Sequence, residues 1–175
     1  MAILRAIQIE MNFIKLKFLV FAFLTLWLTA TNSFAVVVDS EEAGDYANFI
    51  MSMINTSQTI KGGATCVIGS DEIAKLILAQ DKNSVDLGLG GDHRKYDQCK
   101  AVYLSQGTEK TSRSEMDKFV KRKITTIAVF EGFIETGGMI QVQMGRRNFE
   151  IMLNSKEVKA AGVRLNALLL SLVIN

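Results

Sequence analysis

Thr65-Cys66-Val67-Ile68-Gly69-Ser70-Asp71 is the stretch on which the fold turns. Thr65 to Ile68 are apolar or β-branched, and Gly69 closes them, the composition of a short buried strand. Ser70 has the side chain to cap a helix, and Asp71 and Glu72 bring negative charge to the positive end of its dipole. Ile73, Leu76 and Ile77 recur behind them at helical spacing. The segment therefore reads as strand, glycine turn, helix. Upstream, Tyr46, Phe49, Ile50, Met53 and Ile54 mark an amphipathic helix, and Lys61-Gly62-Gly63 ends the connection after it.

Downstream the alternation continues. Val85 to Leu89 reads as a second, weaker strand, interrupted by Gly88 and followed by Gly90 and Gly91. Ala101 to Leu104 is a third, with the loop Ser105-Gln106-Gly107 after it. Ser112 and Glu115 have capping-box spacing, ahead of the helical stripe Met116, Phe119 and Val120. Ile124 to Val129 is a β-branched fourth strand. Strands alternating with helices predict a parallel sheet covered on both faces. The tail differs. Met139–Met144 and Asn148–Leu153 flank Gly145-Arg146-Arg147, the pattern of an antiparallel hairpin. Asn154 caps a short helix with Glu157 three residues on and Gly162 at its end. Leu165, Leu168, Leu169 and Leu172 are expected along one face of a last helix. The expected fold class is α/β: a single compact domain, mainly a parallel sheet flanked by helices, with a C-terminal antiparallel hairpin.

The N-terminus is read separately. Lys15 and Lys17 precede the apolar run Phe18–Ala30, and Ser33 and Ala35 place small residues at a cleavage site. The run falls short of the roughly 20 residues a spanning helix needs. Residues 1–35 are therefore expected to be a cleaved signal peptide, and residues 36–175 an exported, periplasmic domain. Of 20 basic and 18 acidic residues, Arg5, Lys15, Lys17 and Glu10 lie in the leader, so the remainder balances. Such balance gives no reason to expect nucleic acid as a partner. Both cysteines, Cys66 and Cys99, fall in the mature part. In an exported chain an even number favours a disulfide, closing a loop of about 34 residues worth roughly 3.7 kcal/mol; two separate buried thiols are the other reading. Two cysteines and one histidine do not make a four-ligand zinc site, and no cofactor is expected.

Several of these segments together carry a family resemblance. They are Thr65-Cys66-Val67-Ile68-Gly69-Ser70-Asp71, the cysteine before a strand in Tyr96–Leu104, Gly137-Gly138-Met139-Ile140, Asn148-Phe149-Glu150-Ile151-Met152-Leu153-Asn154, Ala160-Ala161-Gly162-Val163-Arg164-Leu165 and Leu168-Leu169-Leu170-Ser171-Leu172. In this order they resemble the YfiR family of bacterial periplasmic regulatory proteins. The resemblance implies a compact α/β domain that can dimerise, with Cys66 and Cys99 at the positions of a family disulfide. It also implies a non-enzymatic role. Such a protein binds and represses the sensor domain of an inner-membrane diguanylate cyclase, lowering cyclic di-GMP and biofilm formation, until capture on an outer-membrane lipoprotein or envelope stress releases it. A sensor kinase is an alternative membrane partner. The chain departs from the pattern in three places. It lacks a second cysteine pair, has Ile54-Asn55-Thr56-Ser57 where a tryptophan often follows the first helix, and has Asn166-Ala167 in place of paired serines.

Catalytic chemistry finds little material. His93, the single histidine, sits in the polar stretch Gly91-Asp92-His93-Arg94-Lys95, the setting of a solvated loop residue. Gly137-Gly138 leads into a strand rather than a helix N-terminus, so it reads as a turn or a close backbone approach and not as a phosphate cradle. Glu131-Gly132-Phe133-Ile134 follows the fourth strand, where open α/β sheets place ligand sites. Phe133 and Ile134 either face a partner or fold back on the core. Ser70, Ser105 and Gln106 follow other strands toward the same edge. Arg146 and Arg147 sit at the expected hairpin tip, available to acidic groups on a partner. These residues form the expected partner- or ligand-binding set. A periplasmic small-molecule-binding module is the alternative function, and an enzyme the least supported.

Overall fold

The computed structural model describes residues 39–57, 63–111, 113–146 and 148–174. The expected leader, Lys61, Gly62, Ser112 and Arg147 lie outside the described residues. Helix α1 covers Ser40–Thr56 and is followed by β1 (Ala64–Ile68), α2 (Glu72–Gln80) and β2 (Val85–Asp86). A 3-10 turn, His93–Gln98, leads into β3 (Cys99–Leu104), α3 (Arg113–Lys121) and β4 (Thr125–Ala128). Then come β5 (Ile140–Met144), β6 (Phe149–Leu153), α4 (Ser155–Ala161), α5 (Ala167–Leu170) and β7 (Val173–Ile174). The seven strands form one sheet in the order β2-β1-β3-β4-β5-β6-β7. Every neighbouring pair is parallel except β5–β6, the hairpin. The α/β class and its C-terminal hairpin are thus as the sequence predicts.

Strand pleating divides the core in two. Val67, Ala101, Tyr103 and Ile127 point to the face covered by α1 and α2, among Ile50, Ile54, Ile73 and Ile77. Cys66, Ile68, Val102 and Leu104 point to the other, against Met116 and Phe119 of α3 and against Tyr96. Both faces are apolar, as expected where helices cover a parallel sheet on each side. Cys66 and Cys99 are joined by a disulfide on the α3 face, with Cα atoms 5.7 Å apart.

Four expectations need correction. The cap of α2 is Asp71 and not Ser70: the Asp71 carboxylate accepts from the Ala74 N–H at 2.7 Å. β2 stops at Asp86, because Gly88 (φ 69°) turns the chain and the Asp86 side chain accepts the Gly88 N–H. The last helix is four residues long rather than a leucine-faced helix running to Leu172. Asn166 caps it at its start, and the Leu172 carbonyl accepts from Ile151 N–H, so the open edge of β6 captures the chain end as β7. Leu169 is buried there, but Leu168 is 71% exposed.

The fourth correction concerns Phe133, which is fully buried. β4 and β5 are parallel, yet no helix connects them. Parallel neighbours need a crossover that covers the sheet, and here Phe133 fills that place. Its ring packs edge-on to Phe130 at 5.3 Å, and a Cβ at Gly138 would lie 2.3 Å from it. Glycine at 138 is thus a close-approach residue, as the sequence reading allowed. Two helices end alike. After α4, Gly162 (φ 72°) donates to the Lys159 carbonyl and Val163 to that of Val158. After α3, Lys123 (φ 57°) donates to Val120 and Ile124 to Phe119. Both are left-handed Schellman endings.

Candidate functional site

β1, β3, β4 and β5 run in one direction, so the loops after them share the carboxyl edge of the sheet. Ser70, Ser105, Gln106, Glu131 and Arg146 all lie on those loops. Asp71 organises the first of them. Its Oδ2 accepts from the Tyr103 hydroxyl at 3.0 Å and the Gln106 N–H at 2.8 Å, while Oδ1 caps α2. Ser105 is buried: its N–H donates to Ile68 O at 2.9 Å, and its Oγ donates to Gln106 O at 3.3 Å. Gly69 (φ 102°) makes room, since a Cβ there would lie 1.6 Å from Ser105 Oγ. Ser70 stays exposed and Gln106 partly so. Burial, and then the Asp71 charge, push the Tyr103 hydroxyl well above its ordinary pKa, so it keeps its proton. The cluster joins two loops and offers neither a free base nor a nucleophile.

His93 is exposed, with Nδ1 3.7 Å from Glu115 Oε2 and its ring beside Tyr96. No thiol accompanies it, because both cysteines are bonded to each other. Among the described residues no cluster of side chains could hold a metal ion. Glu115 interacts with Lys118 and lies near His93; Ser112, its expected capping-box partner, lies outside the described residues.

A different character appears at the far corner of the sheet. β5 runs three residues beyond its last pairing with β4, carrying Met144 and the hairpin tip with it. Arg146 is exposed at that tip; Arg147 lies outside the described residues. α5 precedes β7, which is parallel to β6, so α5 meets the same corner. A groove of about 480 Å³ opens between the hairpin tip and the segment after α5, lined by Arg146, Asn148, Phe149, Glu150, Ser171, Leu172 and Ile174. Met144 on β5, Leu168 and Leu170 on α5 and Ile174 on β7 are exposed large apolar residues, Ile174 among them lining the groove, and Leu89 is another at the opposite end of the carboxyl edge. Isolated apolar side chains on a surface are ordinary; here Ile174 joins the half-buried Phe149 and Leu172 in the lining of one groove.

The structure thus brings Ser70, Ser105 and Gln106 together, with Glu131 exposed on the next loop of the edge. Phe133 belongs to the core, and Ile134 is half-buried with its carbonyl accepting from Asn154 Nδ2 at 3.3 Å. Sequence reasoning missed Leu89, Leu168, Leu170 and the Asp71 junction. A leucine among Gly88, Gly90 and Gly91 was a readable sign of exposure. It also missed the ion pair of Arg113 Nη2 with the buried Glu157 carboxylate, at 2.8 Å, which joins α3 to α4.

No curated protein matches the sequence. A conserved domain protein from Vibrio cholerae O1 biovar El Tor strain N16961 superposes with a TM-score of 0.56 at 8% identity, over 75% of this chain and 58% of that one. The likeness concerns the fold alone, and the chain spans less than two thirds of its neighbour. The ABC domain from Streptococcus pneumonia in complex with L-Trp gives a TM-score of 0.49 at 10% identity, over 75% of this chain and 62% of that one. The family model described as YfiR/HmsC-like matches residues 55–173, from the end of α1 into β7. By that match the chain belongs to the YfiR/HmsC-like family.

Proposed function

We propose that this chain is a non-enzymatic periplasmic regulator that acts by touching another protein. It binds the sensor domain of an inner-membrane diguanylate cyclase, or a similar signalling protein such as a sensor kinase, and holds it inactive, lowering cyclic di-GMP. The family match over residues 55–173 carries this reading. The Cys66–Cys99 disulfide supports an oxidising compartment, and export by the leader over 1–35 accounts for reaching it. No helix among the described residues is long and apolar enough to cross a membrane, so the membrane partner is reached by contact. The corner formed by Arg146, Leu168, Leu170 and Ile174 is the contact we assign. An outer-membrane lipoprotein that competes for this chain, and a homodimer, belong to the same reading.

The test is co-purification from detergent extracts, with cyclic di-GMP measured in parallel. The native chain should recover the membrane protein, and its deletion should raise the nucleotide. Leu168→Ser with Leu170→Ser should release the partner without lowering the melting temperature. A chain always recovered alone, with nucleotide unchanged on deletion, would sink the proposal. One observation favours a second reading: the groove beside Arg146 and Glu150 is large enough for a small molecule. A periplasmic small-molecule-binding module would show a thermal shift with a ligand that Arg146→Ala abolishes, in the absence of any membrane partner.

A further inference from the structure

The fold brings several basic residues to one edge of the sheet. α2 begins at the carboxyl edge, after β1, with Glu72 in its first turn. α3 ends at the opposite, amino edge, and its end is Lys121-Arg122-Lys123, all three exposed. Lys100 joins them. It precedes the Ala101–Thr125 pair of β3 and β4 as Lys123 and Ile124 do on the other strand, and its chain lies over Gly63. Lys95 lies in the 3-10 turn whose Tyr96 packs on Phe119 of α3 at 4.8 Å. Arg122 holds the group together: its guanidinium lies 3.4 Å from Asp97, donates to His93 O at 3.5 Å and sits 5.6 Å over the Tyr96 ring. Lys95, Lys100, Lys121, Arg122 and Lys123 are thus all exposed at the amino end of the sheet, with Arg122 paired to Asp97 and Glu115 nearby beside His93.

A second observation is independent of charge. Lys123 has φ 57°, the left-handed conformation that Gly162 supplies at the equivalent place after α4. A side chain there is strained where glycine would not be. Strain held at a lysine on a basic edge points to a use for that charge.

We infer that the amino edge of the sheet, centred on Lys100, Lys121 and Lys123, docks on the phosphate headgroups of an anionic lipid bilayer. Lysines on flexible stems are point charges, suited to a diffuse charged plane rather than to one bidentate partner. None of the exposed large apolar residues, Leu89, Met144, Leu168, Leu170 and Ile174, is on this edge, so the contact is electrostatic and does not insert. Docked this way, the carboxyl edge and the hairpin corner point away from the lipid and stay open to a protein.

The test uses the chain as the cell produces it, in sedimentation with vesicles of phosphatidylglycerol and phosphatidylcholine against phosphatidylcholine alone. Binding should be selective for the anionic vesicles and lost in high salt. K100Q/K121Q/K123Q should weaken it about 100-fold, at roughly tenfold or less per lysine, with melting unchanged, while K100R/K121R/K123R should retain it. Equal binding to both vesicles, or full binding by the glutamine variant, overturns the inference. So does poly-glutamate binding as tightly as the anionic vesicles, which would assign the edge to an acidic protein. Displacement by millimolar inorganic phosphate would likewise replace the bilayer with a discrete phosphate site. Should the glutamine variant misfold, retention of binding by the arginine variant together with loss in high salt supports the inference, and salt-insensitive binding overturns it.

Discussion

The two halves of the sheet are built on different terms. From β2 to β4 every strand is parallel, both faces are apolar and helix-covered, and a disulfide ties β1 to β3. From β5 to β7 the face bearing Ile140, Val142 and Ile151 is buried and apolar, while the other carries the buried Gln141 with the half-buried Gln143, Glu150 and Met152. There Gln143 Nε2 donates to Glu150 Oε2 at 3.1 Å, and Gln141 Nε2 lies 3.6 Å from Met152 Sδ. The exposed apolar residues Met144, Leu168, Leu170 and Ile174 also gather in this half. The difference teaches a division of labour: the first half supplies rigidity, and the second presents surface. Phe133, at the joint between them, is the largest single test. Phe133→Ala should destabilise by about 3–5 kcal/mol, read from denaturant midpoints, because its fully buried ring fills the β4–β5 crossover. A loss below about 1 kcal/mol would mean that the joint is not where the halves are coupled.

Next in size is the disulfide. Reduction, or the double replacement of Cys66 and Cys99 by serine, should cost roughly 3.7 kcal/mol by the chain-entropy account. The loss belongs to the first half, so partner binding at the hairpin corner should persist below the lowered melting temperature. Binding lost together with the disulfide at temperatures where the fold survives would refute the division.

The tyrosines sharpen it further. Tyr103 lies in the first half, and Tyr46 receives the Met144 N–H from the second at 2.8 Å. Burial raises the pKa of each above the ordinary 10.0, and that of Tyr103 well above it. A raised folded-state pKa gives stability that is complete below the unfolded value and lost as pH rises through the folded one. Stability should therefore hold to about pH 10 and fall beyond it. Phenolate absorbance should show Tyr46→Phe removing an earlier-titrating group than Tyr103→Phe. The reverse order would place the tighter packing in the second half.

How much of this was legible follows the same division. In the first half, Cys66-Val67-Ile68 and Ile73, Leu76, Ile77 announced their elements because burial, strand period and helix period agreed. Ser70 misled by one residue, since Ser and Asp are both competent caps. Asp71 wins because its second oxygen also reaches Tyr103 and Gln106, partners 32 and 35 residues away. In the second half, Leu165, Leu168, Leu169 and Leu172 have helical spacing, but the free edge of β6 competes for Val173 and Ile174, and a hydrogen-bonded strand end outweighs a frayed turn. Of the expected contact residues, Arg146 and Glu131 were readable from turn position alone. Phe133 was not, because nothing local says whether an aromatic residue in a loop fills its own crossover. The basic edge was hidden for the same reason: Lys100 and Lys123 come to the same end of the sheet only through the β3–β4 register.

The smallest effect is the most discriminating, because the two halves hold the same motif with different residues. Gly162 ends α4 and Lys123 ends α3 with matching hydrogen bonds and positive φ. Gly162→Ala should cost about 1 kcal/mol, since a Cβ meets strain there though no neighbour lies within 4 Å. Lys123→Gly should gain about 1 kcal/mol by relieving that strain, less the added freedom of the unfolded chain. Melting curves of the two single variants give the signs directly. Opposite signs mean that α3 carries a cost that α4 does not, at a position where glycine was available. If Lys123→Gly also weakens binding to anionic vesicles, that cost is exchanged for charge on the docking edge, a trade of stability for function. If it destabilises instead, Lys123 is held by packing on the end of α3, and the strain argument for the basic edge falls with it.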